Sequence, residues 1–229
     1  MVGRIKENME MKNMYMTIDT ETIGGISNPT GAYNYGGVLH DKEGKIYASF
    51  SLLIMEHYDK IAEDDYAKKT FSLYKERIDE GYITCVSSEQ EAIEIIRNLC
   101  QFYHVKYIMA YNSGFDFVKT KCRELLDEFE FIDIYLMALQ TITHLKGYGK
   151  FCNEHEMYSK SGKTCSTTAE AVYAFITNNQ EYKEEHTALS DAMIEMEIFK
   201  KCAKMKKHYT KNVHMWDCME RNKCFPKRK

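Results

Sequence analysis

The chain of 229 residues has only two prolines, one tryptophan and a formal net charge of −3. It has no uninterrupted apolar run of membrane-spanning length, so no membrane-spanning helix is expected. Its eight cysteines include no C-x-x-C pair, which removes the common zinc-site and dithiol-redox signatures. Residues 1–16 mix charges with scattered methionines and lack the apolar core of a signal peptide, so a cytoplasmic protein with reduced thiols is expected. P-loops, cysteine-to-arginine phosphate cradles, internal repeats and low-complexity tracts are all missing. What is present is a chain with 44% hydrophobic and 28% charged residues, long enough to bury a core without disulfides or structural metal.

The small net charge conceals an asymmetry. Residues 204–229 hold nine Lys or Arg against Asp217 and Glu220, a net of +7, while residues 1–203 hold 22 basic and 32 acidic groups, a net of −10. An acidic body repels polyanions unless its carboxylates are neutralised locally, and a basic end attracts them.

Hydrophobic periodicity places strands first and helices later. Residues 14–19 alternate, and residues 33–39 and 46–55 are rich in strand formers on either side of a turn at 41–44, so three successive strands are expected. Ser88-x-x-Glu91 is a capping box for a helix over 89–104. A strand over 105–111, a helix over 115–129, a strand over 131–135 and a helix over 136–144 follow. The polar, Gly-containing stretch 147–164 is expected to be a loop or a short helix between loops. Thr167-x-x-Glu170 caps a helix to about residue 177, and the last long helix spans 188–205. Strands alternating with helices imply parallel pairing, and the fold class is α/β or α+β.

Three short segments carry chemistry. In the first strand Asp19 and Glu21 lie at i and i+2 and project from one face. They are either a solvated strand end or hard oxygen ligands for a divalent cation. At a strand-to-helix turn, Asn112 and Asp116 lie where ligands gather in parallel sheets; Asp116 alone could simply favour a helix N-terminus, and Asn112 could be a turn residue. His186 and Asp191 are five residues apart, about 500° of helical rotation or 140° net. They meet at one site only if His186 precedes the helix and Asp191 lies in its first turns; by itself His186 is equally a surface residue.

Together, Asp19-Thr-Glu-Thr-x-Gly24, Asn112-x-x-Phe-Asp116 and His186-x-Ala-x-x-Asp-Ala192 resemble the motifs of the DEDDh branch of the DEDD 3′-to-5′ exonucleases. This family includes proofreading exonuclease domains and oligoribonuclease-like enzymes. The order and separations match, over residues 14–199, and three weak motifs in order are stronger than any one.

The resemblance implies an RNase H-like fold, a mixed sheet with three antiparallel strands and then parallel ones, flanked by helices. It implies that Asp19, Glu21, Asp116 and Asp191 hold two Mg²⁺ or Mn²⁺ ions and that His186 is the general base. Hydrolysis of single-stranded DNA or RNA 3′ ends to nucleoside 5′-monophosphates would follow. Thr22 and the Thr20 backbone would lie near the terminal sugar, and Asn112 and Phe115 would shape the pocket for the last nucleotide. Tyr111, Phe115 and Phe117 are aromatic surfaces for base stacking, with Phe117 favoured as core. Two features depart from the pattern: Tyr111 stands where many members have His, and the 147–164 linker, with His155 and Lys160, is longer than a minimal domain needs.

The expected organisation is an N-terminal extension over 1–13, an exonuclease domain over 14–203 and a basic extension over 204–229. The length leaves no room for a polymerase domain, so a stand-alone enzyme and a subunit beside a separate polymerase both fit. The alternatives are a non-catalytic nucleic-acid-binding module of a replication or repair complex, disfavoured by four convergent acids, and a metal-dependent phosphatase. The extension is either a phosphate-backbone contact or a solubilising segment. His208, His214, Cys218 and Cys224 within it match no common zinc-finger spacing.

Overall fold

The computed structural model describes residues 13–24, 29–65 and 67–205. Apart from residues 13, 204 and 205, the two expected extensions, including His208, His214, Cys218 and Cys224, lie outside the described residues. Alternation of apolar and polar residues gives strands β1 (Met14–Ile23), β2 (Gly31–Asp41) and β3 (Ile46–Ile54). The shorter β4 (Thr84–Val86), β5 (Val105–Ala110) and β6 (Glu130–Asp133) complete the sheet in the order β4-β3-β2-β1-β5-β6. The pairs β1–β2 and β2–β3 are antiparallel, and β1–β5, β3–β4 and β5–β6 are parallel. The β2–β3 turn closes as expected: Gly44 has φ 85° and donates to the Asp41 C=O at 3.0 Å.

Helices cover both faces. On one, α3 (Glu89–Phe102) presents Ala92, Ile93, Ile96 and Cys100 to Met16, Ile18, Tyr35 and Leu39. On the other, α5 (Ile134–Gln140), α6 (Lys146–Glu154), α7 (Ala169–Thr177) and α8 (Ala188–Lys204) pack on Tyr15, Tyr107 and Met109. The pair α1 (Tyr58–Glu63) and α2 (Phe71–Asp79) forms a smaller core with Ile23, Tyr33 and Leu53. This is a mixed α/β, RNase H-like architecture. The six described cysteines are free, and all but Cys85 are buried. Among the described residues no helix is long and apolar enough to cross a membrane.

Several expected boundaries change. The helix expected over 115–129 is a four-residue α4 (Asp116–Lys119) followed by a 3-10 turn over Lys121–Leu125. Thr120 breaks it by taking an extended conformation, and its hydroxyl accepts from Cys122 N–H at 3.1 Å, starting a new turn. The strand expected over 131–135 ends at Asp133, which caps α5 through Leu136 N–H at 3.3 Å. Thr168, not Thr167, caps α7, accepting from Ala171 N–H at 3.2 Å. Within 147–164, helix α6 forms despite two glycines because Tyr148 and Cys152 are fully buried in the core.

Candidate active site

The site begins on β1. Asp19 and Glu21 share the face that looks toward α8, and in register they oppose Gly36 and Asn34 of β2. Gly36 matters because it has no side chain. A Cβ there would lie 2.1 Å from the Ala188 carbonyl carbon and the Leu189 nitrogen, so the start of α8 rests directly on the strand. Asn34 fastens it: its Oδ1 accepts from Ala188 N–H at 3.2 Å and from the Tyr74 hydroxyl at 3.1 Å. Its Nδ2 donates to Ser51 Oγ at 3.1 Å and the Leu52 C=O at 3.0 Å. Asp191, in the first turn of α8, is thereby held over the Asp19 and Glu21 face.

His186 lies two residues before α8, exposed, with a left-handed φ of 56°. This is the arrangement that its five-residue spacing from Asp191 requires. Ligand-type atoms of Glu21, His186 and Asp191 lie within 4.8 Å of one another. The loop bearing His186 is anchored from α2, where Arg77 donates to Glu185 Oε2 at 2.6 Å and to Thr187 Oγ1 at 3.0 Å.

Asp116 enters from the turn after β5. It is buried, and its Oδ1 accepts from the Thr20 hydroxyl at 2.7 Å. Thus the Thr20 side chain braces an acid. The structure brings Asp19, Glu21, Asp116, Asp191 and His186 to one end of the sheet from three separate segments. Asp19, Asp191 and Asn112 line a cleft of about 360 Å³ together with Tyr111, Tyr135, Thr167, Thr168, Glu184 and Glu195. Asn112 is left-handed, with φ 65°. Glu21, Asp116, His186, Thr20, Thr22 and Phe115 are not among the residues lining this cleft: Thr22 is buried on β1 after a bulge, and Phe115 is half-buried. Phe117 is wholly core, and the half-buried Tyr111 donates its hydroxyl to the Thr167 C=O at 2.7 Å.

Burial and mutual repulsion govern the electrostatics. Desolvation pushes Glu21 and Asp191 up to about 8 and Asp116 up to about 7. Asp19 is raised well above the usual carboxylate range by burial and then by Asp116, Glu195, Asp191 and Glu21. The Thr20 hydrogen bond works in the opposite direction on Asp116. Such a set of hard oxygen donors, too close to ionise together, fits the chemistry of a divalent cation. A separate grouping, Glu56, His57 and Glu89, is internally bonded: His57 Nε2 is 3.1 Å from Glu89 Oε1, and the Tyr35 hydroxyl donates to Glu89 Oε2 at 2.6 Å.

Sequence reasoning missed Gly36, Asn34, Arg77, Glu184 and Glu195. Of these only Glu195 carried a signal, its helical spacing of four from Asp191.

The fold and cleft define an RNase H-like α/β protein with an acidic centre at the carboxyl ends of its parallel strands. No protein-family model and no curated protein matches the chain. Among solved structures, it resembles a full-length 3′-exonuclease at TM-score 0.55 and 12% identity, covering 89% of this chain and 88% of that one. E. coli exonuclease I, in complex with a dT13 oligonucleotide, aligns at TM-score 0.45 and 13% identity, over 83% of this chain and 41% of that one. At 12% identity the likeness to the first is one of fold.

Proposed function

We propose that the protein is a divalent-metal-dependent 3′-to-5′ exonuclease of the DEDDh type, acting on single-stranded DNA or RNA ends. The observation that supports this most is the convergence of half-buried Asp19 with buried Glu21, Asp116 and Asp191, with His186 beside them on an exposed, braced loop. The fold shared with a 3′-exonuclease agrees with it.

In this reading Asp19, Glu21, Asp116 and Asp191 would hold two Mg²⁺ or Mn²⁺ ions, which would supply charge stabilisation at the phosphate and activation of the attacking water. His186 accepts the proton of that water. An imidazole can accept and release a proton through one ring nitrogen, and the exposed position of His186 puts that nitrogen within reach of solvent. Arg77 holds the His186 loop through Glu185 and Thr187, and Thr20 orients Asp116 through its hydroxyl. Asn112 shapes the cleft around the terminal nucleotide, with Phe115 and Thr22 supporting the strand and turn beside it. The product is a nucleoside 5′-monophosphate. Two divalent ions would roughly cancel four carboxylates and make the most acidic part of the body phosphate-accepting.

Asp191→Asn and Asp19→Asn, assayed on a single-stranded oligonucleotide with Mn²⁺, should each abolish hydrolysis while the thermal melt stays the same or rises, because one repelling charge is removed. Wild-type turnover by Asp191→Asn would overturn the assignment. Binding without shortening by the wild-type protein would point to a non-catalytic module, and release of a terminal phosphate alone to a phosphatase.

A further inference from the structure

Helix α8 carries a second buried acid beside Asp191. Glu195 follows Asp191 by four residues, about one turn, and so lies on nearly the same helical face. It is 3% exposed, and it lines the cleft with Asp19 and Asp191. Its Oε2 accepts the backbone N–H of Tyr111 at 3.0 Å.

Tyr111 is the first residue beyond β5, where the backbone turns abruptly. Asn112 is left-handed, and its C=O accepts from Phe115 N–H at 2.8 Å immediately before α4 opens at Asp116. The Tyr111 hydroxyl binds the Thr167 C=O at 2.7 Å, so this turn is tied toward α7 by a side chain and to α8 by an amide. An apolar residue would pack on α8 as Ala188, Ala192 and Ile198 do, but it would offer the Tyr111 amide no acceptor. A carboxyl group keeps an oxygen for that amide whether or not it is ionised, so the bond survives the arrival of a cation.

We propose that Glu195 is a positioning residue. By holding the Tyr111 amide it ties the helix bearing Asp191 to the turn bearing Asn112 and Asp116, and so sets the spacing of Asp191 and Asp116. The inference rests on the reading of the cleft as a metal centre. It adds a specific demand: the acceptor oxygen at position 195 matters more than the charge.

The test compares full-length Glu195→Met, which fills the volume and leaves only a weak thioether acceptor, with Glu195→Gln, which retains a carbonyl oxygen. Three readouts are Mn²⁺ binding by titration calorimetry, hydrogen exchange at the Tyr111 amide, and oligonucleotide hydrolysis. Glu195→Met should weaken Mn²⁺ binding on the order of 10-fold, accelerate Tyr111 exchange, and lower kcat by about 10- to 100-fold with KM for oligonucleotide within about 3-fold. Glu195→Gln should restore all three to within about 3-fold of wild type. Wild-type Mn²⁺ affinity and kcat in Glu195→Met, or equal impairment of Glu195→Gln, would overturn the proposal. A change in melting temperature with Mn²⁺ affinity intact would also overturn it, since that is the mark of a merely structural residue. Wild-type protein that binds Mn²⁺ but cleaves nothing would sink the nuclease reading while leaving the Glu195 comparison decisive.

Discussion

Gly36→Ala is a sharp perturbation of the architecture that builds the site. Its new Cβ would lie 2.1 Å from both the Ala188 carbonyl carbon and the Leu189 nitrogen and 2.4 Å from the Ala188 oxygen, where ordinary contact starts at 3.4 Å. These are backbone atoms, so no side-chain rotation relieves the clash, and the start of α8 must retreat by more than ~1 Å. That movement stretches the 3.2 Å bond from Ala188 N–H to Asn34 and carries Asp191 away from Asp19. Overpacking of this kind costs about 2–3 kcal/mol, or a fall in Tm of about 5–10 °C for a chain of this size. A displacement of about 1 Å in a reacting constellation costs on the order of 100-fold in kcat. Calorimetry and oligonucleotide hydrolysis measure the two effects. The control is Gly149→Ala in α6, where a Cβ meets nothing within 4 Å and a helical alanine should stabilise by about 0.5–1 kcal/mol. If Gly36→Ala melts and turns over like wild type, the close approach of α8 to β2 is not what places Asp191.

Two further outcomes follow from the electrostatics and the loop anchor. Glu21, Asp116 and Asp191 hold protons more tightly in the folded state than in the unfolded one. Their stabilising contribution is therefore present below about pH 4 and is lost as pH rises through about 7 to 8. The metal-free protein should lose several kcal/mol, on the order of 10 °C or more in Tm, between pH 5 and 8, and Mn²⁺ should raise Tm more at pH 8 than at pH 6. Calorimetry in chelator and in Mn²⁺ checks this, and a metal-free Tm that rises over that window contradicts it. Arg77→Ala should lower kcat about 10-fold with KM little changed and stability altered by about 1 kcal/mol, because it frees the His186 loop from a half-exposed ion pair. Steady-state kinetics with an unchanged kcat would refute that role for Arg77.

Much of this site was legible in the sequence because its chemistry sits in short local patterns. Asp19 and Glu21 alternate on a strand, Asp116 follows a Gly turn, and His186 stands just before a helix whose first turn carries Asp191. The supports were not legible. Gly36 and Asn34 act on Ala188, more than 150 residues away along the chain, and nothing local to either marks that contact. Glu195 belongs to an α8 surface pattern shared with Glu197, and only the fold separates the buried acid from Glu197, which accepts from Lys200. Residues 58–86 lack a strong period; α1 and α2 became visible only through the core they share with Ile23 and Tyr33, and β4 only through its pairing with β3 and the burial of Val86 beneath α3. The helix expected over 115–129 was broken by one threonine whose hydroxyl recaps the chain.

The most direct measurement of the central claim follows the two ends of one single-stranded oligonucleotide, labelled at the 5′ end or at its last phosphate, with Mn²⁺ and with chelator. The account predicts that the terminal label is released at once as a nucleoside 5′-monophosphate while the 5′ label descends through a one-nucleotide ladder, both only with metal. Release of the 5′ label first, or shortening that persists in chelator, would contradict it.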